Sequence, residues 1–215
     1  MSESTNNLTR LYDAILIGDA NTTVEATEAA LAEDTNAQEL LTKHMIPAMD
    51  EVGRRFEANE YFVPELLISA RAMKAALALL RPLLSASGIE PVGRVVIGTV
   101  KGDLHDIGKG LVASMLEGGG FEVIDLGVDV SPEEFIAEAQ KNDANIIAVS
   151  ALLTTTMTSM KGVIEALDET NLRDRIKVLI GGAPVTQKYA DSIGADGYSP
   201  NASAAVSLAR ELVAV

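Results

Sequence analysis

One histidine in this chain lies in a setting that is typical of a metal ligand. His105 belongs to the segment 101–110 and stands between Asp103 and Asp106. Imidazole is the commonest metal-binding side chain, and a carboxylate bonded to its second ring nitrogen fixes the tautomer and strengthens the ligand. Asp103 is placed to provide that carboxylate if the loop curls. A solvated loop histidine beside helix-capping aspartates would give the same pattern, so the residues alone leave both interpretations open.

Glycines surround this histidine, and small or hydroxyl-bearing residues recur at three later points. Gly102, Gly108 and Gly110 would let the backbone approach a bulky ligand closely. Neither a dinucleotide-binding glycine fingerprint nor a P-loop is present. The later segments are a Ser- and Thr-rich run at 150–159, a glycine pair at 181–182, and Gly-Tyr-Ser-Pro-Asn-Ala-Ser at 197–203. Each is a weak signal alone, since Ser and Thr also cap helices and glycine pairs are common after strands.

The segments follow short β-branched runs, which predict the strands of a parallel sheet. These runs alternate with helical stretches, which favours an α/β fold of the flavodoxin-like or Rossmann-like class with crossover helices on both faces. The five predicted strands are residues 92–100, 122–126, 145–149, 176–180 and 195–198. Ligands bind beyond the carboxyl ends of such strands, so we expect the unusual segments to meet at one edge of the sheet.

The first part of the chain has helical periodicity instead. Apolar residues recur at helical spacing from Leu8 to about Leu84, with turn-like breaks between them, which predicts an antiparallel four-helix bundle. The third helix, residues 37–58, should bend at Pro47 and bury one apolar stripe. The stripe consists of Leu40, Leu41, Met45, Met49, Val52 and Phe56.

A boundary separates the two parts. Residues 85–91 are small, polar and proline-ended, as is typical of a linker. We therefore predict a helical domain at residues 1–88 and an α/β domain at residues 91–215.

Composition excludes several classes of function. The chain of 215 residues carries 17 Lys and Arg against 31 Asp and Glu, and a net charge of -14 repels nucleic-acid phosphates. It has no cysteine, which excludes disulfides, zinc–thiolate sites, iron–sulfur clusters and cysteine nucleophiles. The N-terminus lacks the layout of a signal peptide, and no apolar run is long enough to span a bilayer. We expect a cytoplasmic protein without nucleic-acid or membrane partners.

Taken together, the motifs resemble the cobalamin-binding domain of methionine synthase and its corrinoid-protein relatives. The resemblance lies in Asp-x-His-x-x-Gly at 103–108, Ser-x-Leu at 150–152 and Gly-Gly at 181–182. The helical part is similar to that family's cap module, through residues 52–56 and 62–66. Size and two-module layout are most similar to the small stand-alone methylamine and methanol corrinoid proteins of methanogens and acetogens.

The resemblance implies a role for each matching position. His105 would be the lower axial ligand of the cobalt in cobalamin or a related corrinoid, and Asp103 and the Thr156 hydroxyl would extend a hydrogen-bond relay from it. Thr156 stands where methionine synthase has serine. Phe56 and Val63 would cover the upper, methyl-bearing face, and Val63 stands where leucine is usual.

Further residues would surround the same cofactor. Ser150, Leu152 and Thr154 would line the pocket for its nucleotide tail, with Gly108, Gly181 and Gly182 giving that tail room. The remaining implied cofactor-binding residues are Gly102, Asp106, Tyr198 and Asn201.

The same resemblance implies a methyl carrier that is non-catalytic alone. It would accept a methyl group on Co(I) from a substrate-specific methyltransferase and pass it as methyl-Co(III) to a second methyltransferase, with coenzyme M or a tetrahydropterin as acceptor. A reductive activase would be a further partner. The alternatives are a B12-dependent sensor, which the negative charge disfavours, and the cobalamin subunit of a mutase, in which the helical part would be surplus. A B12-free α/β domain is the third, and the matching motifs argue against it.

Overall fold

The computed structural model describes residues 3–214 of the chain. They form two compact units: the first contains the described residues up to Pro91 together with residues 117–120, and the second contains residues 92–116 and the described residues from 121 onward. The helices of the first unit are α1 (Glu3–Ile17), α2 (Ala20–Ala32), α3 (Ala37–Glu39), a π-helical turn (Leu40–Met45), α4 (Ile46–Glu57) and α5 (Val63–Ala86). Because the π-helical turn joins α3 to α4, they make four helical segments, as predicted. No helix among the described residues is both long and apolar enough to cross a membrane.

The last helix of the bundle extends further than predicted. The backbone N–H of Phe62 donates to the Glu65 carboxylate at 2.9 Å, which starts α5 at the expected place. At the other end, Gly88 adopts φ +67, and the N–H of Ile89 donates to the Leu84 carbonyl at 3.0 Å. This glycine-terminated cap ends the helix, so Ser85 and Ala86 are helical and the predicted linker is too long by these two residues.

The third helix is interrupted where the sequence predicted a bend. Pro47 cannot donate a backbone hydrogen bond, and its ring crowds the preceding turn. The chain accommodates it with the π-helical turn just before, in which Ile46 donates to the Leu41 carbonyl. Leu41 and Phe56 are only half-buried, whereas the other members of the predicted stripe are fully buried. The π turn shifts the register of the stripe, and Phe56 lies in the last turn of α4.

An ionic network holds the turn between α4 and α5. Arg54 and Arg55 donate to the Glu51 carboxylate at 2.7–2.8 Å. Arg55 also donates to the Tyr61 hydroxyl at 3.1 Å, and that hydroxyl donates to the Leu16 carbonyl at 3.1 Å. The bonds from the two guanidinium groups outweigh partial desolvation and lower the pKa of Glu51 to about 2.

The second unit is the predicted α/β fold. Its strands are β1 (Arg94–Thr99), β2 (Glu122–Asp125), β3 (Ile146–Ser150), β4 (Lys177–Gly181) and β5 (Gly197–Tyr198). Its helices are α6 (Ile107–Gly118), α7 (Pro132–Lys141), α8 (Thr158–Asp168), α9 (Gln187–Ile193) and α10 (Ala202–Val213). All pairings are parallel and the order is β2-β1-β3-β4-β5, which is the flavodoxin-like order. Strand ends differ from the predicted ones by at most two residues.

The central strands are buried on both faces, and their register aligns the strand ends. Val96, Ile147 and Ile180 belong to one apolar core with Phe135 of α7. Gly98 makes room for that ring, since a Cβ on it would lie 2.8 Å from Phe135 Cζ. Thr99 of β1 pairs with Ser150 of β3, and Ser150 pairs with Gly181 of β4. The loops that follow these three strands therefore start side by side.

Glu51→Gln should lower the free energy of unfolding at neutral pH, because the amide accepts weaker hydrogen bonds from the two guanidinium groups. A carboxylate with a depressed pKa stabilises the fold above its ordinary pKa of about 4.3, and that contribution disappears as the pH falls through its folded value. The difference between the parent protein and the variant should therefore be constant above about pH 5 and vanish near pH 2. Urea unfolding followed by circular dichroism measures it.

Glu25→Gln is the matched control, because Glu25 forms an ion pair with Arg10 in which both side chains are exposed. Such a pair contributes about 0–1 kcal/mol. Equal pH profiles for the parent protein and Glu51→Gln would contradict the role given to Glu51.

Candidate functional site

The loop after β1 carries the predicted metal-ligating histidine. It runs from Val100 to Asp106 and precedes the first turn of α6. It lies at the point where the strand order reverses direction: β2 lies on one side of β1, and β3 lies on the other. Such switch points form the ligand crevice of open α/β sheets. The loop after β3, which contains the hydroxyl-rich run, forms the other side of the crevice.

The centre of this site is the carboxylate of Asp103, which is 0% exposed. Its Oδ1 accepts from the backbone N–H of His105 at 3.1 Å and lies 2.6 Å from Nδ1 of that ring. Its Oδ2 accepts from the backbone N–H of Leu152 at 2.8 Å and from the Thr156 hydroxyl at 2.6 Å. Burial by itself would raise the pKa of Asp103, but these hydrogen bonds outweigh it and hold the pKa below its ordinary value. The group is therefore an ionised acceptor.

His105 is oriented by that acceptor. Because ionised Asp103 can only accept, the proton between them belongs to Nδ1, and in the neutral imidazole Nε2 then carries the lone pair. The Thr99 hydroxyl donates to the His105 backbone carbonyl at 2.8 Å and holds the other end of the residue. The side chain remains 50% exposed. A fixed, half-exposed imidazole with a free Nε2 can offer one coordination position to a metal whose other ligands arrive with it.

The hydroxyl-rich segment contributes one side chain to this network. Thr156 is buried, and its hydroxyl lies 2.6 Å from Asp103 Oδ2 and 3.0 Å from the Leu153 carbonyl. Ser150 is half-buried, while Leu152 and Thr154 are exposed. The structure thus brings Thr156 and the Leu152 backbone together with Asp103, and it leaves the Thr154 side chain at the surface.

The glycines of the site differ in what they make possible. Gly182 adopts φ +131, and a Cβ on it would lie 1.9 Å from the Ala151 carbonyl oxygen, so contact between the two loops already requires a glycine there. At Gly181 a Cβ would have ordinary contacts. At Gly108 and Gly110, in the first turn of α6, a Cβ would meet nothing within 4 Å. The space next to the first turn of α6 is therefore open at these two positions.

Three other predicted site residues have different surroundings. Asn201 caps α10, where its side-chain oxygen accepts from the backbone N–H of Ala204 at 2.8 Å. Tyr198 is partly buried against the sheet core. Asp106 is exposed, and its backbone carbonyl accepts from the N–H of Gly110 at 2.7 Å. In the helical unit, Phe56 is half-buried and Val63 is exposed at the start of α5.

Large apolar side chains stand exposed around the histidine. Leu104 is 72% exposed and Ile107 is 84% exposed, and Leu152 and Leu153 are also exposed on the neighbouring loop. Apolar side chains grouped beside polar groups are typical of a binding surface for a large ligand. The site therefore combines one imidazole nitrogen that could bind a metal, open space at the first turn of α6 and an apolar border.

Sequence reasoning missed an ion pair at the base of the loop. Lys109, in the first turn of α6, is buried, and its ammonium binds both carboxylate oxygens of Asp125 at the end of β2. The positive end of a helix dipole disfavours a cation, so Lys109 depends on this carboxylate. The lysine four residues after His105 was the available signal, but its partner is known only once β1 and β2 are paired.

The chain is similar to proteins of known type over most of its length. Two family models, each described as a B12 binding domain, match residues 93–207 and residues 8–81. A dimethylamine corrinoid protein of Methanosarcina barkeri is 46% identical over 209 residues, which cover 96% of this chain and 97% of that protein.

Two solved structures have the same fold. A cobalamin-binding protein of Desulfitobacterium hafniense superposes with a TM-score of 0.79 at 33% identity, covering 95% of this chain and 98% of that chain. A chain of the methanol:cobalamin methyltransferase complex of Methanosarcina barkeri superposes with a TM-score of 0.86 at 30% identity, covering 97% and 80%.

The two glycine environments lead to opposite expectations for alanine. Gly182→Ala should destabilise the protein by roughly 3 kcal/mol, because the methyl group meets the Ala151 carbonyl and the backbone angle is unfavourable. Gly108→Ala should leave stability unchanged or raise it by about 0.5 kcal/mol, since alanine is the better helix former. Urea unfolding of the two variants checks both, and equal losses would refute the open space at Gly108.

Proposed function

The chain belongs to the family of B12-binding corrinoid proteins, and on that basis we propose that it is a methyl carrier. Its cofactor is cobalamin or a related corrinoid, whose cobalt supplies the atom that accepts and releases the methyl group. One partner is a substrate-specific methyltransferase that delivers the methyl group, and the other is a second methyltransferase that removes it. The protein itself would supply His105 to hold the cobalt and a controlled environment around it.

The strongest support is the hydrogen-bond chain that ends at His105. The ring is bonded through Nδ1 to Asp103, and Asp103 is bonded in turn to the Thr156 hydroxyl. A carboxylate behind an imidazole raises the basicity of the free nitrogen and holds the ring in place. Nε2 of His105 would be the lower axial ligand, Asp103 would orient it, and Thr156 would complete the relay.

The residues present fit a corrinoid. A corrinoid brings its own equatorial nitrogens, so one protein nitrogen is sufficient, and His105 offers one. The exposed aliphatic side chains of Leu104 and Ile107 offer an apolar surface to the face and the methyl groups of a corrin ring, and the open space at Gly108 leaves room for a substituent.

The nucleotide tail would enter between the loops after β1, β3 and β4. Thr154 and Ser150 offer hydroxyls that are not needed for the Asp103 network, and Leu152 is exposed beside them. Gly102, Asp106, Gly181 and Gly182 border the same edge. We include Tyr198 in the pocket through the surface of its ring. We include Asn201 through its backbone, because its side-chain amide caps α10.

The helical unit would serve as a cap over the upper face of the corrinoid. We propose domain limits of residues 1–88 for this cap and 91–215 for the corrinoid-binding domain, which the separate matches at 8–81 and 93–207 support. Phe56 and Val63 would cover the reactive face and exclude water from it.

The methyl donor is proposed to be a small methylated amine or alcohol. Support comes from the relatives, one named for dimethylamine and one for a methanol:cobalamin methyltransferase complex. A reductive activase is proposed as a third partner, because a reduced cobalt that is oxidised by accident must be restored. We place the carrier in the cytoplasm, where its methyltransferases would work.

His105→Ala should abolish the absorbance signature of a corrinoid whose own base is displaced by a protein histidine. The variant should also lower corrinoid affinity by roughly 10-fold or more. Absorbance spectra after reconstitution and gel filtration measure both effects. His44→Ala is the matched control, because His44 is the other of the two histidines and lies in the π-helical turn of the helical unit. A histidine-bound spectrum in the His105→Ala protein would refute the proposed ligand.

Val63→Asp should accelerate air oxidation of the bound, reduced corrinoid severalfold, because a charged side chain admits water to the apolar cap. Leu83→Asp is the control: both side chains are exposed, at 41% and 43%, and both lie on α5, but they are about 30 Å apart along the helix. Each change should alter the stability of the apo protein by no more than about 0.5 kcal/mol. If both variants oxidise at the same rate, the cap role of Val63 is wrong.

A further inference from the structure

Asp129, in the loop after β2, forms two hydrogen bonds with the loop that carries His105. Its carboxylate Oδ1 accepts from the backbone N–H of Gly102 at 2.7 Å. Its own backbone N–H donates to the carbonyl of Asp103 at 3.0 Å. These two bonds bracket the backbone dihedral angles of Gly102 and Asp103. They therefore fix the direction in which the Asp103 side chain leaves the backbone.

Asp129 adopts a backbone conformation that residues other than glycine rarely adopt. Its φ is +57, in the left-handed region, where asparagine, aspartate and glycine are the most tolerated residues. The surroundings enforce this conformation: the Thr99 N–H donates to the Gly127 carbonyl, and the Val130 N–H donates to the Thr99 carbonyl, each at 3.0 Å. The left-handed conformation directs both the carboxylate and the N–H of Asp129 toward the same neighbouring loop.

The two halves of Asp103 are thus held by different loops. Asp129 holds its backbone, whereas Leu152 and Thr156 hold its carboxylate. The 2.6 Å contact between that carboxylate and His105 Nδ1 requires both to be in place. A change of a few tenths of an ångström in the backbone would lengthen a hydrogen bond this short.

We propose that Asp129 is a positioning residue for the axial histidine: it fixes Gly102 and Asp103, and Asp103 sets the His105 ring. This rests on the proposed function only for the role of His105 toward cobalt. The hydrogen-bond part concerns the protein without cofactor and can be tested there.

Two substitutions separate the carboxylate from the backbone conformation. Asparagine and glycine both tolerate a positive φ, so neither adds strain at position 129. Asparagine keeps an oxygen that can accept from the Gly102 N–H, whereas glycine removes it. The difference between Asp129→Asn and Asp129→Gly therefore reports the loss of the side-chain acceptor together with the greater backbone freedom of glycine.

The first measurement is proton NMR of the apo protein. The ring Nδ1–H of His105, identified by its absence in His105→Ala, should be protected from exchange with water by its bond to Asp103. Asp129→Asn should retain this signal. Asp129→Gly should exchange it about tenfold faster, as expected for the loss of one charge-assisted hydrogen bond. Unchanged exchange in the glycine variant would overturn the proposal.

The second measurement uses reconstituted protein and the histidine-bound absorbance signature. Asp129→Gly should lower the fraction of corrinoid in the histidine-bound state, and Asp129→Asn should restore it. A histidine-bound fraction in Asp129→Gly equal to that of the parent protein would overturn the positioning role. Failure of the proposed function is distinguishable, because His105→Ala would then keep the parent spectrum while the apo NMR comparison still decides the role of Asp129.

Discussion

The site depends on one constraint: a carboxylate that is fully removed from water must be surrounded by hydrogen-bond donors. Asp103 meets this constraint with donors from its own loop and from the loop after β3. An ionised group in this position without its donors would cost far more than a hydrogen bond contributes. The positions of His105, Leu152 and Thr156 are therefore linked to one another, and the imidazole is oriented before any ligand arrives.

The parallel sheet makes this arrangement possible. Pairing of Thr99 with Ser150 brings the ends of β1 and β3 level, although the two loops are about fifty residues apart in the chain. The close approach of Gly182 to Ala151 brings the loop after β4 against its neighbour in the same way. The apolar strands thus specify a site to which they contribute almost no side chains. Their role is to fix the distances between loops.

Much of this was predictable from local pattern, and the rest required tertiary register. Alternating β-branched and helical runs predicted the sheet, and the two-residue spacing of Asp103 and His105 allowed a contact between their side chains if the loop curls. Thr156 was implied only by family resemblance, since no local rule joins it to Asp103. The partner of Lys109, Asp125, is known only once β1 and β2 are paired, and the left-handed conformation of Asp129 follows from the hydrogen bonds that surround it. The same holds for Gly182: a glycine pair after a strand has many possible causes, and only the structure identifies the Ala151 carbonyl.

The bare aliphatic side chains beside His105 have a consequence for the unloaded protein in solution. Leu104 and Ile107 are exposed to water, as are Leu152 and Leu153 of the neighbouring loop, so the protein without cofactor presents an apolar patch that favours self-association. The net charge of -14 opposes self-association, because copies that meet through this patch also bring together two strongly acidic surfaces. Self-association of the cofactor-free protein thus depends on the balance between attraction at the apolar patch and long-range electrostatic repulsion. Added salt screens the repulsion and leaves the apolar patch unchanged, so it shifts this balance toward association.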